Sequence, residues 1–236
     1  MNPLIGGYSM INKTVKTIDA AVAGIKDGAT IMVSGFGEAG APSLLMEAII
    51  DQGAKNLTAI SNNAGEAYHG LAKLIAEKRV TKVICSFPTA AKKAVVKDLY
   101  AVGELKLEIV PQGTLSERIR SSGAGIGGFY TPTSFGTKLG EGKETRTLNG
   151  KDYVFEYPLH ADFAFVKARQ ADRWGNLTYD KSARNFGPSM AMAGNITVVQ
   201  VDEIVELGEL DPEAIVTPGI FVDRVIQLDV PNYITG

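Results

Sequence analysis

The residues best placed to do chemistry in this chain are glycines. The segments Val33-Ser34-Gly35-Phe36-Gly37-Glu38-Ala39-Gly40-Ala41-Pro42 and Gly123-Ala124-Gly125-Ile126-Gly127-Gly128-Phe129-Tyr130-Thr131-Pro132-Thr133 are dense in glycine. Glycine is costly to order, so packing alone rarely explains such density. What it allows is close approach of bare backbone, whose N–H groups bind phosphates, carboxylates and developing oxyanions. Gly35, Gly37 and Gly40 keep the G-x-G-x-x-G spacing of dinucleotide-binding loops. Such a loop also needs an Asp or Glu near the end of the next strand to hold a ribose. This chain has the neutral pair Asn62-Asn63 there, and Pro42 removes one N–H from the helix start. The pattern favours an anion in general over a nicotinamide or flavin, with a purely structural tight turn as the alternative. Gly127 and Gly128 are candidate oxyanion donors, with Phe129 and Tyr130 as walls that exclude water; the alternative is a crowded backbone crossing. No Gly-Lys-Ser/Thr follows, so this is not a Walker loop.

The chain is rich in donors and poor in groups that attack or shuttle protons. Its two histidines are His69, near a strand-end loop, and His160, followed by Asp162; no second His stands at metal-ligand spacing, so no metal site is expected. There is no G-x-S-x-G elbow for a serine nucleophile. Glu38 is the one carboxylate inside a glycine loop, and it reads as exposed rather than nucleophilic. Arg118, Arg120, Lys181 and Arg184 are candidate anion partners, against the alternative of solvated surface charge. Asn62 and Asn63 offer amide donors and acceptors, although Asn also serves in turns because it tolerates left-handed backbone.

These groups need a scaffold, and the first half of the chain supplies alternating helical and extended patterns. The spacing of Ile18, Ala21, Val22 and Ile25 predicts a helix over Thr17 to Lys26, ended by Asp27-Gly28. Thr30 to Val33 reads as a buried strand, and Pro42 opens a helix over Ser43 to Asp51. The rhythm continues with strands at Leu57 to Ser61, Lys82 to Phe87 and Leu107 to Pro111, and helices at Gly70 to Glu77 and Lys92 to Ala101. Strands separated by helices predict an α/β fold: an open, mainly parallel sheet with helices on both faces. In such sheets ligands sit at the carboxyl ends of strands. The segments after three of those ends, Ser34–Gly40, Asn62–Gly65 and Gln112–Gly113, would converge on one crevice. The second half changes character. Gly136 to Tyr157 reads as a β-rich hairpin insertion with a turn at Asn149-Gly150, and further strands are expected at Phe163–Lys167 and Ile196–Val201.

Composition narrows the classes. With 236 residues, 45 % hydrophobic and 21 % charged, the chain is read as one globular domain with that insertion. A formal charge of −2 provides no global field for nucleic acid or an anionic membrane. No apolar run approaches the roughly 20 residues that span a bilayer, and no signal peptide is read; residues 1–10 read as a possible extension, since Met10-Ile11-Asn12-Lys13 also looks like a start. The single cysteine, Cys85, lies in an apolar run as a buried, inert thiol, and the cytoplasm is the default compartment.

Several motifs together resemble a known family. Asp27-Gly28-Ala29-Thr30-Ile31-Met32-Val33-Ser34-Gly35-Phe36 with Gly40-Ala41-Pro42, Ser61-Asn62-Asn63-Ala64-Gly65, Val110-Pro111-Gln112-Gly113-Thr114-Leu115, Gly123–Pro132, Gly175-Asn176-Leu177-Thr178-Tyr179 and Ser182-Ala183-Arg184-Asn185-Phe186 are similar to the α subunit of class I (3-oxoacid) CoA-transferases, over about Met10 to Leu228. Ser34 departs from the pattern, which often has glycine there; a serine can still donate its N–H. The resemblance implies transfer of CoA from a donor thioester to an acceptor carboxylate, with no tightly bound cofactor. The nucleophile would be a glutamate on a partner β subunit, so no catalytic nucleophile is expected in this chain and a hetero-oligomer is. It implies that Ser34, Gly35, Phe36, Gly37, Glu38, Ala39 and Gly40 contact CoA, and that Asn62, Asn63 and Gln112 line the acyl and carboxylate site. Pro158-Leu159-His160-Ala161-Asp162-Phe163 with Asp172-Arg173-Trp174-Gly175-Asn176 looks most like 3-oxoadipate-transferring α subunits, with acetate or acetoacetate forms as near relatives. A dicarboxylate acceptor would want a second cation, from Arg184 or Arg118. A non-catalytic module binding a phosphorylated metabolite is the alternative from another class.

Overall fold

The computed structural model describes residues 10–65, 69–88 and 95–229. In chain order the elements are α1 (Ile18–Val22), β1 (Thr30–Val33), α2 (Ser43–Gln52), β2 (Leu57–Ser61), α3 (Gly70–Ala76), β3 (Val80–Cys85), α4 (Val95–Ala101), β4 (Lys106–Ile109) and α5 (Gln112–Gly123). There follow β5 (Phe129–Thr131), β6 (Thr145–Leu148), β7 (Lys151–Glu156), β8 (Ala161–Asp172), β9 (Leu177–Thr178), α6 (Gly187–Ala193), β10 (Gly194–Val205) and β11 (Arg224–Gln227). The expected start of α4 at Lys92 lies outside the described residues.

The main sheet runs β11-β10-β8-β1-β2-β3-β4, with every neighbouring pair parallel and β9 antiparallel on β8. The alternation of side chains along a strand divides the core in two. Ile31 and Val33 of β1 face one apolar layer with Leu45, Ile49, Leu74 and Val96, while Met32 faces the other with Leu115, Ile119 and Met190. Helices α1 to α4 therefore cover one face and α5 and α6 the other, as the alternating pattern predicts. The chain steps outward from β1 through β4, then returns to place β8 on the other side of β1. That reversal puts a topological switch point at β1, where such sheets hold ligands beyond the strand ends.

The predicted insertion is a separate antiparallel sheet, β5-β7-β6. Its Asn149-Gly150 turn has both residues at positive φ, 51° and 75°, as a two-residue hairpin turn of this kind requires. β5 was not expected. Phe129 and Tyr130, read as loop walls, pair with Glu156 and Phe155 instead.

Three other expectations change. The helix expected to reach Lys26 stops at Val22, because Ala23 turns extended and Gly24 takes φ 90°. The strands expected at Phe163–Lys167 and Ile196–Val201 are twelve residues each and stay paired to Asp172 and Val205. Gln112–Gly113, expected only as a segment after a strand end, is the first turn of α5, a helix the pattern does not predict. The apolar pattern of α5 is thin because its buried face is made largely of Thr114, Ser121 and Ser122 around Leu115 and Ile119.

Cys85 ends β3, fully buried, and burial pushes its thiol up to about 11 despite a backbone hydrogen bond at Phe87 that lowers it. At pH 8 about one thiol in a thousand is ionised, so a disulfide reagent should label the protein only after unfolding. The unfolded thiol ionises from about pH 9, ahead of the folded one. Below that pH the thiol's contribution is constant, and stability should fall as pH rises from about 9 through about 11. A native protein labelled at the unfolded rate would contradict this placement.

Candidate functional site

The loop after β1 is held shut by its own polar groups. The Ser34 N–H donates to Phe165 O at 3.0 Å, so it completes β-pairing rather than facing a ligand. The Ser34 hydroxyl donates to Gly40 O at 2.7 Å and accepts from the Lys167 N–H at 3.1 Å. Serine thus staples the two ends of the loop, which a glycine there could not do. The Gly35 N–H donates to Asn185 Oδ1 at 3.1 Å, the Phe36 N–H to Ala39 O at 3.0 Å and the Ala41 N–H to Glu38 O at 3.2 Å. Among the described residues, the N–H groups of Gly37 and Gly40 take no acceptor, whereas Ala39 is bridged to Phe36. The loop's capacity for an anion is concentrated in those groups rather than spread along Ser34–Gly40.

Asn185 is the clamp that sequence reasoning missed. Its Oδ1 accepts from Gly35 and Phe186, while its Nδ2 donates to Ala39 O at 2.8 Å and to Ser182 O and Ala183 O. One amide therefore ties the glycine loop to the 3₁₀ turn Lys181–Arg184. The signal was present in Ser182-Ala183-Arg184-Asn185-Phe186, but its partners lie about 150 residues away in sequence. Asn185→Ala should cost about 2 kcal/mol, the scale of losing several part-buried hydrogen bonds at once. Asn185→Asp, which keeps the acceptor but loses both donors, should fall between, by urea unfolding. Equal stability of all three proteins would remove Asn185 from this role.

The crevice beside the loop is lined by Ser34, Gly35, Gly37, Glu38, Asn63 and His69, among others, with only about 20 Å³ of interior space. Glu38 is half-buried rather than exposed, and its Oε2 lies 3.4 Å from His69 Nδ1. Asn63 behaves as a turn residue: its Oδ1 accepts from the Gly65 N–H at 2.9 Å. Asn62 is different. It is 3 % exposed, and its Oδ1 accepts from Ser86 Oγ at 2.8 Å and from Gln112 Nε2 at 2.8 Å. Its carbonyl accepts from the Ser86 and Phe87 N–H groups, both at 3.1 Å. Asn62 thus knots together the ends of β2, β3 and α5. Of the three segments expected to converge on one crevice, the glycine loop and Asn63 with Gly65 line it, whereas Asn62 and Gln112 do not; Gln112 arrives on a helix and already has a protein partner.

Gly127 and Gly128 are not among the crevice lining. A Cβ on Gly128, at φ 152°, would lie 2.2 Å from the Phe155 ring, and one on Gly123 would lie 2.4 Å from Met192 Cβ. These two glycines have packing reasons, whereas Gly127 is exposed with nothing near it. Phe129 and Tyr130 line a shallow hollow with Gly113, Thr114, Glu117 and Thr131, over the first turns of α5.

Other candidates have structural employment. Arg118 donates to Tyr157 O at 2.7 Å and to Glu108 at 3.2 Å, with Glu156 at 3.8 Å. It bolts the small sheet to α5 and β4 and is not available as a substrate cation. Burial pushes the Glu108 carboxyl up, but the hydrogen bonds and charges of Lys82 and Arg118 outweigh it and hold the carboxyl below its ordinary value. Arg120 pairs with Glu117 along the exposed face of α5. His160 Nδ1 lies 2.7 Å from Ser122 Oγ, but Asp162 is occupied by the Thr30 N–H at 2.8 Å, so no Ser-His-Asp relay forms. Among the described residues no three His, Cys, Asp or Glu side chains gather as metal ligands, and no helix is long and apolar enough to cross a membrane.

Known proteins share both this sequence and this geometry. Residues 15–228 match the coenzyme A transferase family. One of the subunits of the 3-oxoadipate CoA-transferase of Pseudomonas putida is 59 % identical over 219 residues, covering 93 % of this chain and 95 % of the relative. The corresponding 3-oxoadipate CoA-transferase polypeptide of Acinetobacter baylyi is 57 % identical, covering 93 % and 96 %. Among solved structures, an acyl-CoA transferase from Escherichia coli O157:H7 superposes with a TM-score of 0.81 at 23 % identity. That match covers 98 % of this chain and 52 % of the other, so the chain spans about half of that longer protein. By sequence match over nearly its whole length and by fold, the chain belongs to the coenzyme A transferase family.

Proposed function

We propose that the chain is the α subunit of a cytoplasmic CoA-transferase that moves CoA from an acyl-CoA such as succinyl-CoA to a 3-oxoacid. The names of its relatives favour 3-oxoadipate as acceptor. The observation that carries the reading is a crevice at the switch point lined by the glycine loop, where among the described residues Glu38 is the one lining carboxylate and faces His69, with the Asn62–Gln112 amide pair fixed at neighbouring element ends. A partner β subunit supplies the reactive glutamate. Its oxygen attacks the thioester carbonyl, the CoA thiolate leaves, and an acyl anhydride forms. The thiolate then attacks the glutamyl carbonyl and expels the acyl carboxylate. Each step passes through an anionic tetrahedral centre, which aimed N–H donors stabilise. In this reading Gly37 and Gly40 donate toward CoA or the oxyanion, Asn62 holds Gln112, and Gln112 presents its exposed amide to the carboxylate. CoA is a substrate, and no resident cofactor is needed.

The test is reconstitution. The purified chain alone should show no transfer between succinyl-CoA and 3-oxoadipate, and addition of the β subunit should create it. Glu38→Gln should retain transfer, and mass spectrometry of the trapped thioester should locate it on the partner. Robust transfer by the lone chain, or a thioester on Glu38, would overturn the division of labour.

A further inference from the structure

α5 begins without a cap. Its N-cap residue is Pro111, which offers no side-chain acceptor, and among the described residues the N–H groups of Gln112, Gly113 and Thr114 take no acceptor. A helix of twelve residues leaves a partial positive charge at such an end. The hollow over this turn holds about 260 Å³. Thr114 lines it and is only 4 % exposed, and its Oγ1 has no hydrogen-bond partner. A buried hydroxyl in that state is costly until a partner comes to it. Thr131 adds a second hydroxyl: its Oγ1 accepts from the Thr133 N–H at 3.3 Å, which leaves its own hydrogen to donate. Phe129 and Tyr130 form an apolar wall, with the Tyr130 hydroxyl taken by Glu144.

The lining holds one charged residue, Glu117, and no lysine or arginine. Both Glu117 oxygens accept from Arg120, whose hydrogen bond holds the carboxyl below its ordinary value. Glu117 also stands one turn further along the helix, away from the free N–H groups. A phosphate group with several charges would want cations here. A helix start with neutral donors and an apolar wall suits a single carboxylate on a short hydrocarbon chain. The hollow begins one residue beyond Gln112, whose amide reaches Asn62 at the end of β2. Arg118, the cation expected for a second carboxylate, is committed to Glu108 and Tyr157. We infer that this hollow receives the far carboxylate of a dicarboxylic 3-oxoacid, with the Gly113 and Thr114 N–H groups and Thr114 Oγ1 donating to it and the methylenes lying on Phe129 and Tyr130. These residues then set the choice of dicarboxylic over monocarboxylic acceptors. The inference rests on the proposed CoA-transferase reading for its substrate class.

Two measurements separate the inference from that reading. In the enzyme assembled with its β subunit, kcat/KM for 3-oxoadipate should exceed that for 3-oxohexanoate, the same chain without the far carboxylate, by about tenfold or more. Thr114→Val, matched in shape but without the hydroxyl, should reduce that preference about fivefold through KM. Gly113→Asp should abolish it. A Cβ at Gly113 meets nothing within 4 Å, and an acidic residue in the first turn favours the helix, so the urea midpoint should hold or rise as the preference is lost. In the full chain, adipate should shift the Gly113 and Thr114 amide resonances by NMR, and the Thr114 resonance should stay unmoved in Gly113→Asp. CoA transfer with equal use of the two acids, or with the preference intact in either variant, overturns the inference and leaves the reading standing, as do amides that adipate does not move. Amides that adipate shifts, in a chain whose assembled enzyme transfers no CoA, overturn the reading and keep the hollow as a carboxylate site.

Discussion

Asn62→Ala should lower turnover of the assembled enzyme about a hundredfold, while costing only about 2 kcal/mol of stability. The stability loss is modest because the orphaned donors have other outlets. Ser86 Oγ also donates to the Asn62 carbonyl at 2.9 Å, and Gln112 is exposed, so water can take its amide. The activity loss is large because Asn62 fixes position. Its Oδ1 holds the Gln112 amide and also joins Ser86 at the end of β3. Without it the Gln112 amide swings free, and displacement of a positioned group by about 1 Å can cost a hundredfold in rate. Asn62→Asp is the control. A carboxylate accepts the same two hydrogen bonds, so folding should be retained, but its charge should raise KM for both anionic substrates. If Asn62→Ala turns over at the wild-type rate, the knot does not position the site.

The contrast between what the sequence made legible and what it hid follows from how each element is specified. β1 and β2 are short apolar runs bounded by Gly and Asn, and they stand as expected, Thr30–Val33 and Leu57–Ser61. The Asn149-Gly150 turn was legible because its chemistry is local: two consecutive residues tolerate positive φ, and few alternatives do. α5 was hidden because it buries hydroxyls. Thr114, Ser121 and Ser122 face inward with Leu115 and Ile119, which leaves too weak an apolar stripe to read.

The same logic applies to the candidate site. Its components were visible as residue types, since glycines and amides at strand ends are uncommon without a reason. Their wiring was not, because it is long-range. Gly35 meets Asn185 across 150 positions, and Gln112 meets Asn62 across 50. Arg118 looked like a free cation in the sequence because Glu108 comes to it from β4, and Glu156 with the adjoining Tyr157 from the end of β7. Glycine itself was read too generously. Gly123 and Gly128 owe their identity to Met192 and Phe155, and no local pattern announces a neighbour of that kind.

Gly40 is where these two roles of glycine coincide, and Gly40→Ala should be the most damaging small substitution in the chain. The residue sits at φ 77°, so any side chain costs about 1–2 kcal/mol on conformation alone. The added methyl would then lie 2.2 Å from Ala183 O and 2.9 Å from Asn185 Nδ2. An overlap of about 1 Å with backbone oxygen cannot be relieved by rotating a side chain, and overpacking of this kind costs about 1–3 kcal/mol more. The turn carrying Ser182 to Asn185 must back away, which pulls Asn185 off Gly35 and Ala39 and frees the loop. A total loss of about 3–4 kcal/mol is expected in urea unfolding. Turnover of the assembled enzyme should fall more than a hundredfold, because the Gly37 and Gly40 donors move together. Gly24→Ala isolates the conformational share: its φ is 90°, but nothing lies within 4 Å of the new methyl. That variant should lose about 1 kcal/mol and keep full activity. If the two alanine variants proved equally stable and equally active, the contact between the glycine loop and the Lys181–Arg184 turn would not be what shapes the site.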